Sequence, residues 1–267
     1  MTETKVGKSH FPIDLGILTA IRQLAKPDST IVELGSGNGT NRLVAEYTVF
    51  SIEDDEKWVG YCDGSNYIHA PLIDLDDSED PIRWYDPEIL RDSIPESYDL
   101  VLIDGPAGKK GRSGLLTNLH LFRTDVPFVI DDTLRDHECQ VAREMAYLLN
   151  RPLYMFWNFS IISPQLLTEE QVARIQRAAL QVLDTEEQPY LESYFTEVTP
   201  ITDINPDEWT DKITELNEHR LRLAALEARS RKLDSLEHST SLRIGLFLTS
   251  PLRFVLGLGK RKKNKKE

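Results

Sequence analysis

Residues 32–40 read VELGSGNGT. Gly35, Gly37 and Gly39 fall within five residues, directly after a short apolar run. A chain that drops its side chains there brings its backbone close to something, either a ligand or another part of itself. The run in front, residues 30–34 (TIVEL), is β-branched and short, as a buried strand is. Before it, residues 13–24 carry apolar residues at helical spacing and end at Lys26-Pro27-Asp28.

The same alternation continues outward. Residues 41–47 are helical in composition, residues 48–52 (TVFSI) form the next strand, and Glu53-Asp54-Asp55 come after it. A helix over 56–62 leads to a strand over 67–70. Residues 98–103 (YDLVLI) are a strand ending at Asp104-Gly105-Pro106, and residues 127–130 are another, ending at Asp131-Asp132. A helix over 134–149 precedes two strands, 153–156 and 159–162. Strands alternating with helices give an α/β, doubly wound, mostly parallel sheet, whose ligands bind at the carboxyl ends of the strands. Here those ends carry GSGNG, EDD, DGP and DD, so glycines and carboxylates collect on one rim.

The bulk numbers bound what this rim can serve. The 267 residues suffice for one sizeable domain with a full core. The net charge is −13, and the last nine residues alone contribute +5, which leaves −18 on the remainder. An acidic body repels phosphate chains, so no nucleic-acid partner is expected. Cys62 and Cys139 are too few for a disulfide scaffold and read as reduced thiols of a cytoplasmic protein. The first residues lack a signal-peptide apolar region, and no apolar run reaches membrane-spanning length.

A dinucleotide turn uses G-x-G-x-x-G, and here Thr40 stands at the third glycine position. Glu53 lies eighteen residues after Gly35, at the tip of the next strand, a spacing that suits a carboxylate accepting the ribose hydroxyls of an adenosine. On ELGSGNG, the acid in SIEDDEKW and YDLVLIDGP, residues 11–164 resemble the class I S-adenosylmethionine-dependent methyltransferases. The resemblance implies a seven-stranded Rossmann-like sheet with an antiparallel last strand, within a domain over 1–200. It also implies that Gly35 and Gly37 bring backbone against the methionine part of S-adenosylmethionine and that Glu33 lies near its ammonium. Glu53 would serve the ribose, Asn38 and Asp54 would also bind the cofactor, and Asp74 or a neighbour is a candidate for the adenine side.

Asp104, Asp131 and Asp132 end neighbouring strands and should converge. Packed like charges raise one another's pKa unless a cation neutralises them, and Mg²⁺ with its oxygen ligands is one such cation. The pattern resembles the metal-dependent O-methyltransferases acting on catechols and sugars, which implies Mg²⁺ on Asp104, Asp131 and Asp132. The competing expectation has one Asp capping the next helix and Asp104 or His137 acting as the base without metal. His69 and His120 are weaker candidates.

The run GPAGKKGRSG after the fourth strand holds Lys109, Lys110 and Arg112 among four glycines. It reads either as a basic loop for an anionic acceptor, such as a nucleotide sugar or a lipid-linked glycan, or as a solvated loop. Trp84-Tyr85 and Phe156-Trp157 read either as stacking platforms or as core. After Pro164 a helix over 168–183 is capped by Thr168. Residues 201–238 hold Trp209, Leu216, Leu223, Leu226 and Leu233 near seven-residue spacing, as in a short coiled coil or a helix packed on its own domain. Residues 239–267 join an apolar segment to KRKKNKK, which suits an interfacial membrane contact or a partner enzyme. Ser239, Ser241, Arg243, Pro251, Leu252 and Arg253 resemble the tails of bacterial enzymes of surface-polysaccharide synthesis. The sequence-based expectation is therefore O-methylation of a sugar hydroxyl, peripheral to the cytoplasmic membrane, with homo-oligomerisation open. Its rivals are an inactive scaffold working through its C-terminal helix, a methyltransferase on a non-sugar small molecule, and an NAD-dependent sugar-modifying enzyme, which Thr40 at the third glycine position disfavours.

Overall fold

A computed structural model describes residues 13–79, 81–107, 111–181 and 198–202. All lie in the first of the two units into which the chain divides, 1–217. The expected helix over 201–238 beyond residue 202, the apolar and polybasic tail, Lys109 and Lys110 fall outside the described residues.

Chain order is α1 (Leu15–Leu24), β1 (Thr30–Leu34), α2 (Thr40–Leu43), β2 (Thr48–Glu53), β3 (Ser65–His69), β4 (Leu72–Asp74) and β5 (Arg83–Tyr85). Then come α3 (Pro87–Ser93), β6 (Leu100–Ile103), α4 (Gly114–Asn118), β7 (Phe128–Ile130), α5 (Asp136–Leu149), β8 (Leu153–Met155), β9 (Ser160–Ile162) and α6 (Glu169–Leu180). Seven strands form one sheet in the order β3-β2-β1-β6-β7-β9-β8. The first five run parallel, and β9 enters antiparallel between β7 and β8. Strand number, direction and the antiparallel last strand agree with the expected sheet. β6 and β7 are buried at every position, because helices cover both faces of a parallel core.

The helices are shorter than their composition predicts. The expected helix over 41–47 is the single turn α2, and that over 56–62 is a 3₁₀ turn, Glu56–Trp58. α5 starts at Asp136 rather than 134, because Asp132 takes a left-handed φ of 60° and the Thr133 N–H donates to the Asn158 carbonyl. α6 opens on a capping box between Thr168 and Gln171 and lies against α1. Gly16 permits that contact: a Cβ there would sit 2.8 Å from Ala179 and Phe159.

Composition did not reveal the antiparallel pair β4–β5, which lies outside the main sheet. It buries Trp84 and Tyr85 completely, so the core reading of that pair holds; Phe156 (1% exposed) and Trp157 (6%) are core as well. Cys62 and Cys139 are buried and form no disulfide. No helix among the described residues is long and apolar enough to cross a membrane.

The glycines of the opening stretch do different work. Gly35 has φ +79°, and a Cβ there would lie 2.8 Å from the Gly105 backbone, whereas a Cβ on Gly37 would meet nothing within 4 Å. Gly35→Ala should therefore lower unfolding free energy by about 1–3 kcal/mol. Gly37→Ala should stay within roughly 0.5 kcal/mol of the parent. Urea unfolding of both variants measures the difference.

Candidate functional site

The ladder of the sheet continues past the ends of the strands. The Gly35 N–H donates to the Ile52 carbonyl (2.9 Å), the Asp104 N–H to Leu34 (2.8 Å) and the Asp131 N–H to Ile103 (3.0 Å). These bonds fix the strand-tip residues side by side. Glu53, Gly35, Asp104 and Asp131 thus line one edge in the order β2, β1, β6, β7, on strands spaced about 4.8 Å apart.

At the β1 tip, Thr40 replaces a third glycine for a reason the motif does not show. Its hydroxyl, fully buried, accepts from the Gly37 N–H (3.1 Å) and donates to Glu33 Oε2 (2.9 Å). Ser51, paired with Glu33 across β1 and β2, donates to the same oxygen at 2.7 Å. Glu33 is 2% exposed, and burial pushes its carboxyl up to about 7 against these two hydrogen bonds. It lies beneath the turn as an internal brace, not on the open rim. Recognising Thr40 and Ser51 as its partners needs the register of two strands, which no local spacing encodes.

Glu53 at the β2 tip is also buried and accepts from the Ser36 N–H, which closes the glycine turn onto the second strand. Burial is the main cause that raises its pKa. Asp54 beside it is raised by burial, and its carbonyl faces His69 Nε2 at 3.3 Å. Asn38 Oδ1 accepts from the Tyr61 hydroxyl at 2.6 Å. The Tyr85 hydroxyl, from β5, is buried without a partner and lies where a Cβ on Gly105 would fall. Asp74 sits on β4 in an exposed ion pair with Arg83 (3.2 Å).

The three carboxylates converge as expected, but the cation among them belongs to the chain. Arg112, expected on a flexible acceptor loop, is 2% exposed and points inward. Its Nη2 donates to the Asp104 carbonyl (2.8 Å), Asp104 Oδ1 (3.2 Å) and Asp132 Oδ2 (3.1 Å), and its Nη1 donates to the Asp131 carbonyl. Arg135 adds a second contact to Asp132 at 2.8 Å. Asp131 Oδ1 accepts from the Asp132 N–H (2.6 Å). Desolvation first, then Asp104 and Asp132, drives the Asp131 carboxyl well upward. Asp104 is pushed up to about 7, by desolvation most of all and by Asp132, with Arg112 opposing. Its side chain nonetheless keeps 42% of its surface accessible, so it opens to solvent rather than to the core.

A divalent ion would need the oxygens that Arg112 holds. Among the described residues no group of three His, Cys, Asp or Glu side chains is arranged to hold a metal. The donor set as folded fits a guanidinium and does not fit Mg²⁺. His137 lies in the first turn of α5 with its Nε2 buried and unpartnered. His120 lies on a separate 3₁₀ turn, Leu119–Leu121.

No family model matches the chain, and neither does any curated protein. Solved structures show partial similarity. MycE, a methyltransferase of the mycinamycin biosynthetic pathway solved with Mg, SAH and mycinamycin VI, is 15% identical over 54% of this chain and 46% of its own, at a TM-score of 0.36. The chain therefore spans about half the length of MycE. A methyltransferase-like protein from Silicibacter pomeroyi is 19% identical over 64% of this chain and 95% of its own, at 0.37. Spermidine synthase from Thermotoga maritima is 10% identical over 63% of each chain, at 0.38.

Glu33 has a consequence for stability. A folded pKa of about 7 against an ordinary 4.5 means the folded state holds the proton more tightly than the unfolded one. Its stabilising effect is complete below about pH 4.5 and is lost as pH rises through about 7. Melting temperature should thus fall between pH 5 and pH 8, and Glu33→Gln should fall less over that range. Thermal melts at both pH values compare the two slopes.

Proposed function

We propose that this chain transfers a methyl group from S-adenosylmethionine to a hydroxyl oxygen, with a sugar or glycan precursor as acceptor. The observation that carries the reading is the fixed alignment of strand tips. An adenosine-type half, the glycine turn with Glu53, stands directly beside an acceptor half, the half-open carboxylate of Asp104. The open space over Gly37 and the unpartnered Tyr85 hydroxyl fit a ligand seated along this edge. The sugar rests on the resemblance of the strand-tip carboxylates and of the tail, with the basic loop read as serving an anionic acceptor; a peripheral membrane or partner-enzyme contact rests on the C-terminal helix and tail.

S-adenosylmethionine, when bound, supplies a methyl group activated on a sulfonium sulfur. The chain's own residues then have three tasks. Glu53 accepts the ribose hydroxyls at the β2 tip, and the Gly37 backbone leaves room for the amino-acid end. Glu33 works from below, holding the turn in shape through Thr40. Asp104 takes the proton of the acceptor hydroxyl while that oxygen forms its bond to the methyl carbon and the sulfur keeps the electron pair of the broken bond. A carboxyl near 7 suits this role, because roughly half of it is ionised at neutrality and it is still basic enough to hold a proton. Alignment of the two halves supplies the rest of the rate.

Calorimetry should show saturable binding of S-adenosylmethionine, weakened at least tenfold by Glu53→Ala. Absence of binding to the folded parent chain would sink the reading. With labelled S-adenosylmethionine and a panel of nucleotide sugars and lipid-linked glycans, Asp104→Asn should lower turnover roughly 10²–10⁴-fold. The parent's kcat/KM should rise with pH and level off above about 7, as the Asp104 carboxyl loses its proton.

A further inference from the structure

Four oxygens from two neighbouring strand tips meet one guanidinium. They are the carboxylates of Asp104 and Asp132 and the carbonyls of Asp104 and Asp131. Carboxylate and carbonyl oxygens are the ligands a hard divalent cation takes. We propose that Arg112 is the resident cation of this cluster, a positioning residue that stands where a divalent metal would otherwise sit. The rim then holds its carboxylates, and presents Asp104 to the acceptor, with no metal.

Three observations support this beyond the hydrogen bonds themselves. Arg112 is almost fully buried, so its charge is screened little by water or salt. A guanidinium keeps its proton at any working pH, and its planar fork can serve several oxygens at once. Its place is also set by packing. Arg112 lies on the 3₁₀ turn Gly111–Ser113, and the next residue, Gly114, is pressed against Trp84 so closely that a Cβ would lie 2.6 Å from the Trp84 Cβ. The turn is thereby clamped to β5, and the guanidinium is held over the tips of β6 and β7. Oδ1 of Asp104 is engaged by Arg112, while the side chain keeps 42% of its surface accessible.

The activity arm of the test rests on the methyl-transfer reading; the metal arm does not. Mn²⁺ is titrated into the full chain and bound ion is tracked by electron paramagnetic resonance. The parent should show no Mn²⁺ site that is lost on Asp132→Asn. Arg112→Ala, checked for folding by circular dichroism, should gain a saturable Mn²⁺ site, and adding Asp132→Asn should abolish it. Where Arg112→Ala does not fold, Arg112→Gln takes its place with the same expectation. A parent site that Asp132→Asn removes overturns the proposal, and so does a folded Arg112 variant that gains none. In the assay with labelled S-adenosylmethionine, chelator should change parent turnover less than twofold, and a loss of tenfold or more overturns the proposal. A parent chain that binds no S-adenosylmethionine overturns the functional reading and leaves the Mn²⁺ result standing.

Discussion

Backbone hydrogen bonds that carry the parallel ladder one residue beyond each strand are the constraint on which the rest of the rim depends. Side chains at loop positions ordinarily drift with their loops. Here Gly35, Asp104 and Asp131 have left their strands by one residue yet remain in register, each N–H donating to a carbonyl at the end of the neighbouring strand. The sheet's rigidity is extended to the place where chemistry would occur. The backbone of such an extension is fixed by the sheet, while the adjoining loop supplies the Arg112 that holds its carboxylates.

That rigidity creates an electrostatic problem. Three carboxylates forced onto adjacent tips raise one another's pKa unless positive charge offsets them. The structure meets the problem in two ways at once. Arg112 and Arg135 supply positive charge, and the carboxyls of Asp104 and Asp131 shift upward toward holding a proton. The same balance recurs beneath the glycine turn, where Glu33 has hydroxyl donors but no cation and is raised by burial. Glu33 and Asp104 are thus raised to about 7, and Asp131 and Glu53 are raised as well, because of where the backbone places them.

Much of this was legible in the sequence because the signals are local. β-branched runs such as TIVEL and YDLVLI mark buried strands, and the glycines and carboxylates after each run mark the rim. Elements were missed where the cause is tertiary. The pair β4–β5 is three residues per strand, with a pattern too short to stand out, and it is held by burial of Trp84 and Tyr85. Arg112 is the clearest case. Among lysines and glycines it reads as part of a solvated basic loop, and only the convergence of β6 and β7 tips turns it inward. Need for a cation was readable from Asp104, Asp131 and Asp132; its identity was not, because a side chain eight residues beyond Asp104 supplies it. Likewise Thr40 showed what the turn lacks, and the register of Ser51 with Glu33 was required to show what it adds.

The seam between Gly35 and Gly105 bears on how such a rim can diversify. Each glycine leaves no room for a Cβ on the other's side, since the two backbones touch directly and the Tyr85 hydroxyl closes the gap behind them. Enlarging one residue cannot be offset by shrinking its neighbour, because the neighbour has no side chain left to lose. Both positions are locked together, and descendants of this chain would have little freedom there. Change along this edge would have to come from the residues that flank the seam, such as those around the β4–β5 pair. The centre of the edge would stay as it is while its margins change.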